Sequence, residues 1–132
     1  MNCKGITVRK INKLEGGTIV HPSKKELKKQ ITTLHKKLQK NDSNVTTEYS
    51  IEQDTHKAKY HSHLLVRYTD ESNLFNQLER FIGGSGWDNR IEGFSKVTYC
   101  DGKYGEVDVI RIYDEVGYRN YMNKSTPTRT LV

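Results

Sequence analysis

Tyr60-His61-Ser62-His63-Leu64-Leu65-Val66-Arg67-Tyr68 reads as an extended strand, and the rest of the chain can be arranged around it. Side chains alternate along a strand, so His61 and His63 share one face while Ser62, Leu64 and Val66 share the other. Two imidazoles on one face can bind a single cation. The preceding stretch, Val45 to Asp54, alternates well enough to be its hairpin partner across a turn around Thr55 to Lys59. That partner supplies Glu48, Glu52, Gln53 and Asp54 as third ligands. Glu52 is the choice, but it shares the histidines' face only if it pairs opposite His61 or His63; a one-residue slip presents Gln53 instead. Two imidazoles and a carboxylate with open positions suit Mn²⁺ or Mg²⁺, whereas a closed site would suit zinc.

Upstream, Ile6 to Ile11 reads as a first strand, with Ile6, Val8 and Lys10 on one face and Thr7, Arg9 and Ile11 on the other. Glu15-Gly16-Gly17 follows as a turn. Ser23 stands three residues before Glu26 as a capping box, Pro22 precedes it, and Leu27, Ile31, Leu34 and Leu38 repeat at helical spacing. Lysines 24, 25, 28, 29, 36, 37 and 40 cover much of this helix's remaining surface. Lys24 and Lys28 are candidate DNA contacts, and a solvated face explains any one lysine equally well. Asn41-Asp42-Ser43-Asn44 ends the helix.

Downstream, Thr69 or Asp70 can cap a second helix whose apolar stripe is Leu74, Phe75, Leu78, Phe81 and Ile82, terminated by Gly83-Gly84. Gly83 to Gly86 reads as an exposed loop ending at Trp87, a candidate for stacking on a base. Lys96 to Cys100 and Val107 to Tyr113 are two further strands, joined through Asp101-Gly102 and Gly105. Asp114 can cap a short helix carrying Tyr118, Tyr121 and Lys124. Ser125 to Val132, with Pro127 and Arg129 and no periodicity, is expected to be a flexible basic tail. The element order predicts one domain over 1–124: an α+β fold, helices packed on an antiparallel sheet.

The 132 residues allow one modest core, and Lys+Arg number 22 against 16 Asp+Glu, a formal charge of +6. That balance favours a polyanionic partner, nucleic acid first. Two cysteines, Cys3 and Cys100, are too few for a disulfide framework and fit a reducing, cytoplasmic compartment. No apolar run approaches the roughly 18 residues of a membrane span. There is no GxxxxGK phosphate loop, so a helicase is expected to come from elsewhere.

Tyr121 lies 58 residues after His63, with Lys124 three beyond it. A phenol has a pKa of about 10, and a nearby cation lowers the cost of removing its proton. At i+3 on a helix, Lys124 is on the right side to supply that charge. Attack by Tyr121 on a metal-polarised phosphodiester would leave a phosphotyrosyl link on one DNA end and a free hydroxyl on the other. With eight tyrosines in the chain, packing is the commoner role for any one of them. The combination of histidine pair, carboxylate, tyrosine and lysine raises the estimate.

These residues resemble the HUH endonuclease superfamily, in particular the small replication initiators of rolling-circle plasmids and single-stranded DNA viruses. His61-Ser62-His63-Leu64-Leu65-Val66 is similar to the family's His-hydrophobic-His strand, with Ser62 a departure at the position facing away. Glu52 sits where such proteins often carry the acidic ligand, and Val107 to Ile112 leading into Tyr121-Met122-Asn123-Lys124 resembles the strand and YxxK helix that present the nucleophile. The resemblance covers about Val45 to Lys124 and implies an RNA-recognition-motif-like sheet. It also implies nicking and rejoining of single-stranded DNA at an origin, usually in a hairpin, through a 5′-phosphotyrosine. A 3′-hydroxyl is left for a host polymerase, with a host helicase as further partner, and a homodimer stays open. Two-tyrosine initiators use YxxxY, whereas Tyr118 and Tyr121 are closer, which favours a single tyrosine with Tyr118 packing or touching DNA.

Two alternatives accompany this reading. A single-tyrosine HUH transposase shares the strand but usually leads into its histidines with proline-aspartate, where Ala58-Lys59-Tyr60 stands here. A non-catalytic single-strand-binding module would stack bases on Tyr99, Tyr104 and Tyr113 and needs neither the metal trio nor YxxK.

Overall fold

The computed structural model describes residues 2–10, 12–13, 16, 19–53, 59–91, 93–98, 105–124 and 127–132. Among them the chain forms β1 (Asn2–Lys10), β2 (Asn12–Lys13), β3 (Ile19–Val20), α1 (Lys24–Asn41), β4 (Thr46–Gln53) and β5 (Tyr60–Tyr68). There follow α2 (Glu71–Ile82), β6 (Asp88–Ile91), β7 (Phe94–Thr98), β8 (Gly105–Arg111), α3 (Glu115–Asn123) and β9 (Arg129–Leu131). Seven strands make one antiparallel sheet in the order β6-β7-β8-β1-β5-β4-β9, and β2 pairs with β3 separately. The fold is therefore α+β. Turn residues 55–58, Asp101-Gly102, the ligand candidate Asp54, Tyr99, Tyr104, Cys100, and Glu15 and Gly17 lie outside the described residues.

Each helix starts where a side chain meets its orphan amides. Ser23 Oγ accepts from the Glu26 amide at 3.1 Å and Glu26 Oε1 accepts from the Ser23 amide at 3.4 Å, a reciprocal cap on α1. Asp70 caps α2 through the Asn73 amide, and Asp114 caps α3 through the Gly117 amide. Gly83 ends α2 at φ +74°, a left-handed conformation that glycine adopts without a Cβ penalty. Asp42 fastens the end of α1 to the start of α2, accepting the Thr69 hydroxyl at 2.6 Å and the Thr69 and Asp70 amides at 2.8 and 2.9 Å. Burial works against its charge, but those hydrogen bonds outweigh it and hold the carboxyl below its usual range.

α1 and α2 cover one face of the sheet. Leu27, Ile31, Leu34 and Leu38 of α1 and Leu74 and Leu78 of α2 close a single core with Ile6, Val8, Leu64, Val66, Val107 and Val109, each at most 2 % exposed. Burying a side chain of this size stabilises the fold by about 1.5–3 kcal/mol, so this face carries most of the apolar driving force. α3 lies against the other face.

One expectation is corrected by the fold. Residues 129–131 are not a flexible tail: they form β9, an edge strand on β4, with Leu131 opposite Thr47 and Arg129 opposite Tyr49. Hydrogen bonds from β4 order a segment that has no periodicity of its own. The segment from Gly83 to Gly86 is the exposed loop expected, held at one point where a Cβ on Gly84 would lie 2.3 Å from the Thr98 carbonyl oxygen, and Trp87 beyond it packs on the core. β6 follows directly, a short polar edge strand whose sequence carries no alternation.

A carboxylate, two histidines and a tyrosine on the open sheet face

Register decides which side chains meet. β4 and β5 pair with Glu52 opposite His61 and Ser50 opposite His63, so Glu52 shares the histidines' face and Gln53 faces the other way. His61 Nε2 and His63 Nε2 are 3.1 Å apart, and Glu52 Oε2 lies 3.6 Å from the first and 3.3 Å from the second. Ligands about 2.1 Å from one ion at angles of about 90–120° are separated by roughly 3.0–3.6 Å, so the three atoms fit a common cation. Both histidines are almost fully buried, at 7 % and 3 % exposure, and Glu52 reaches solvent on one side.

Glu48, the other acidic candidate on this face, is occupied. Arg119 Nε donates to its two carboxylate oxygens at 2.9 and 3.0 Å, and Arg67 Nη1 lies 3.6 Å away. Arg67 also pairs with Glu115 at the start of α3. Glu48 thus ties α3 to the sheet rather than joining the trio.

His63 is positioned from its far side. Thr7, its cross-strand neighbour on β1, brings Oγ1 to 3.3 Å from Nδ1. A threonine hydroxyl that accepts the Nδ1 proton leaves the Nε2 lone pair aimed at Glu52 and His61, the usual outer arrangement around a metal-binding imidazole. Burial lowers the affinity of His63 for a second proton, and neighbouring His61 lowers it further against the pull of Glu52. The ring is therefore neutral near pH 7, the form that can ligate.

α3 places Tyr121 beside this group. The Tyr121 ring meets His63 edge-on at a centroid distance of 5.1 Å and remains 47 % exposed. Lys124, the residue capping the end of α3, holds its Nζ 4.2 Å from the centre of that ring and 3.7 Å from Glu52 Oε1. Tyr118, one turn earlier, is used differently. Its hydroxyl donates to the Leu64 carbonyl at 3.3 Å, and burial first, then Tyr121, pushes its phenol well above the usual pKa. Tyr118 fits only because β1 has no side chain at Gly5, where a Cβ would lie 2.7 Å from both the Tyr118 ring and Ile112 Cδ1.

The structure brings together Glu52, His61, His63, Tyr121 and Lys124, and places the other candidates elsewhere. Lys24 and Lys28 are on α1, against the opposite face, where they border a groove of about 540 Å³ with Tyr49 and Arg129. Trp87, partly buried, packs edge-on to Phe75 of α2 at 4.6 Å on the helical side, away from Tyr121. Tyr118 is likewise an anchor for α3. Thr7, Arg119 and Gly5 were not singled out from sequence. A glycine inside a strand signals close backbone approach, which could have flagged Gly5; Thr7 becomes visible only once register is known.

Cys3 is half-buried, and burial aided by Glu115 pushes its thiol up to about 11, so it stays protonated and unreactive. No described helix is long and apolar enough to cross a membrane. No protein-family model, curated protein or solved structure matches the chain.

Proposed function

We propose that this protein is a metal-dependent tyrosine endonuclease of the replication-initiator type. In this reading it nicks and rejoins single-stranded DNA at an origin through a covalent 5′-phosphotyrosine. The observation that carries the reading is the convergence of Glu52, His61 and His63 within 4.8 Å of one another, with Tyr121 packed on His63. Omitting β2, β3 and the outer strands β6, β7 and β9 that flank the central four, the order β1 α1 β4 β5 α2 β8 is the split β-α-β arrangement. This supports the RNA-recognition-like fold that the HUH resemblance implies.

Glu52, His61 and His63 would hold Mn²⁺ or Mg²⁺, which when bound supplies a Lewis acid at the scissile phosphate. Tyr121 gives up its phenolic proton and its oxygen forms a bond to phosphorus. The bond from phosphorus to the 3′-oxygen breaks, and that oxygen takes a proton to become the 3′-hydroxyl. Lys124 stands where its ammonium pairs with the developing phenolate. One phosphodiester replaces another, so the 3′-hydroxyl can attack the phosphotyrosine and reverse the step as strand joining. The 3′-end would prime a host polymerase, with strand separation by a host helicase.

Incubation with a randomised single-stranded DNA pool and Mn²⁺ tests this. An SDS-stable protein-DNA adduct is expected from the wild type and not from Tyr121→Phe. Folded wild-type protein that binds the pool and forms no adduct would favour the non-catalytic binding module.

A further inference from the structure

The positive charge of this molecule sits on the wrong side for the site just described. α1 carries seven lysines against one glutamate, an excess of six that equals the formal net charge of the whole chain. The remaining residues balance. Because α1 packs on the core face, the centre of positive potential lies behind the sheet, away from Tyr121. A polyanion drawn in by that field meets α1 first.

Along α1 one place is shaped to receive it. Between α1 and α2 lies a groove of about 220 Å³ bordered by Lys10, Lys29, Lys37 and Arg80, with Gln30 and Phe81. None of these four cations forms an ion pair with an acidic side chain among the described residues. Lys10 Nζ sits 4.4 Å over the centre of the Phe81 ring, and burial, then Lys37, holds its ammonium below the usual pKa. The side-chain oxygen of Gln30 is buried there with no partner among the described residues. Cations brought together with no described anion among them are an unfavourable arrangement for a free surface. A phosphate between them would relieve it.

We infer that the groove between α1 and α2 is a second binding site for a nucleic-acid backbone, taking phosphates of a stretch distinct from the strand at Tyr121. Naming the polyanion as nucleic acid rests on the nuclease reading; the site itself does not. A bilayer surface is the less suited partner, because none of the exposed large apolar residues among those described lies on α1 or α2 to enter the acyl region.

The test is fluorescence anisotropy with a labelled duplex of about 20 base pairs in EDTA, over a range of salt concentrations, so that cleavage cannot contribute. Lys37→Glu with Arg80→Glu, one substitution from each wall, is expected to weaken binding at least about tenfold and to flatten the log-log salt slope by about two. The same charge change outside the groove, Lys4→Glu with Arg111→Glu, should weaken binding less than about threefold. Lys29→Gln with Lys37→Gln repeats the test should the reversals unfold the protein, and thermal unfolding monitors that. Equal losses in the two charge-reversed proteins, or wild-type affinity in the groove variant, would overturn the inference. So would tighter binding to phosphatidylserine vesicles than to duplex, lost in the same variant. A protein that binds duplex through the groove yet forms no adduct with single-stranded DNA would retain this site and remove the nuclease reading.

Discussion

Two neighbouring rows of side chains cross the same five strands and do opposite work. On the helical face Ile51, Ser62, Val8, Val107 and Val97 stand in register across β4, β5, β1, β8 and β7. One residue along, on the α3 face, Ser50, His63, Thr7, Asp108 and Lys96 do the same. The first row is sealed under α1 and α2. The second holds a histidine, a threonine and a Lys96–Asp108 ion pair at 3.6 Å, and α3 covers only part of that face. A strand's two-residue period lets one backbone serve core and chemistry at once, so a one-residue slip would destroy both.

The largest effect expected from this division falls on activity. His63→Ala should reduce DNA cleavage by about 1,000-fold, or about 4 kcal/mol of barrier, while the melting temperature moves by no more than about 4 °C. Cleavage assays and calorimetry read the two separately, and a comparable loss of fold would make His63 a structural residue. Its neighbour should behave in the reverse way. Leu64→Ala removes a fully buried side chain from the core and should cost about 3 kcal/mol of stability, lowering the melting temperature by about 10 °C. The folded fraction should still cleave.

Ser62 is where the two faces conflict. It is fully buried on the apolar side, and its hydroxyl has no partner among the described residues. Ser62→Ala should stabilise the protein by about 1 kcal/mol in urea unfolding, since it removes an unsatisfied polar group from the core. A destabilised variant would mean that the hydroxyl is bonded in solution.

The smallest effect concerns pH. His35 of α1 is buried on the helical face with Nδ1 2.9 Å from Thr47 Oγ1, and burial lowers its pKa from 6.5 despite a counteracting bond to the Val132 backbone. The unfolded chain therefore binds a proton that the folded one refuses, and stability is full above pH 6.5 and declines as pH falls through the folded value. His63 acts in the same direction from the other face. His35→Gln should shallow the decline measured by urea unfolding between neutral pH and pH 5 without altering the Glu52–His61–His63 group; an unchanged slope would contradict the burial argument.

Local signals were readable in proportion to how local their causes are. The Ser23–Glu26 box, the Asp70 and Asp114 caps and the Gly83 terminus are each settled within a few residues, and each stands where the sequence places it. Alternation likewise assigns Ile6 and Val8 to one face. The position of Glu52 opposite His61 depended on a register that the sequence leaves open among two acceptable pairings and a slip. β9 was missed because its order comes from β4, some eighty residues earlier in the chain. Trp87 ends a glycine-rich segment, and no spacing in the sequence reveals that Phe75 supplies its packing partner. Thr7 and Arg119 act through cross-strand and helix-to-sheet contacts that no spacing encodes.

Tyr118 and Tyr121 compress the whole comparison into one turn of α3: a phenol bonded to the Leu64 carbonyl under the helix, and a half-exposed ring between His63 and Lys124. The most direct measurement is peptide mass spectrometry after reaction with single-stranded DNA and Mn²⁺ and digestion of the bound strand. The account predicts a residual nucleotide on Tyr121 and none on Tyr118. A nucleotide on Tyr118, or on neither tyrosine of a folded protein whose DNA has been nicked, would contradict it.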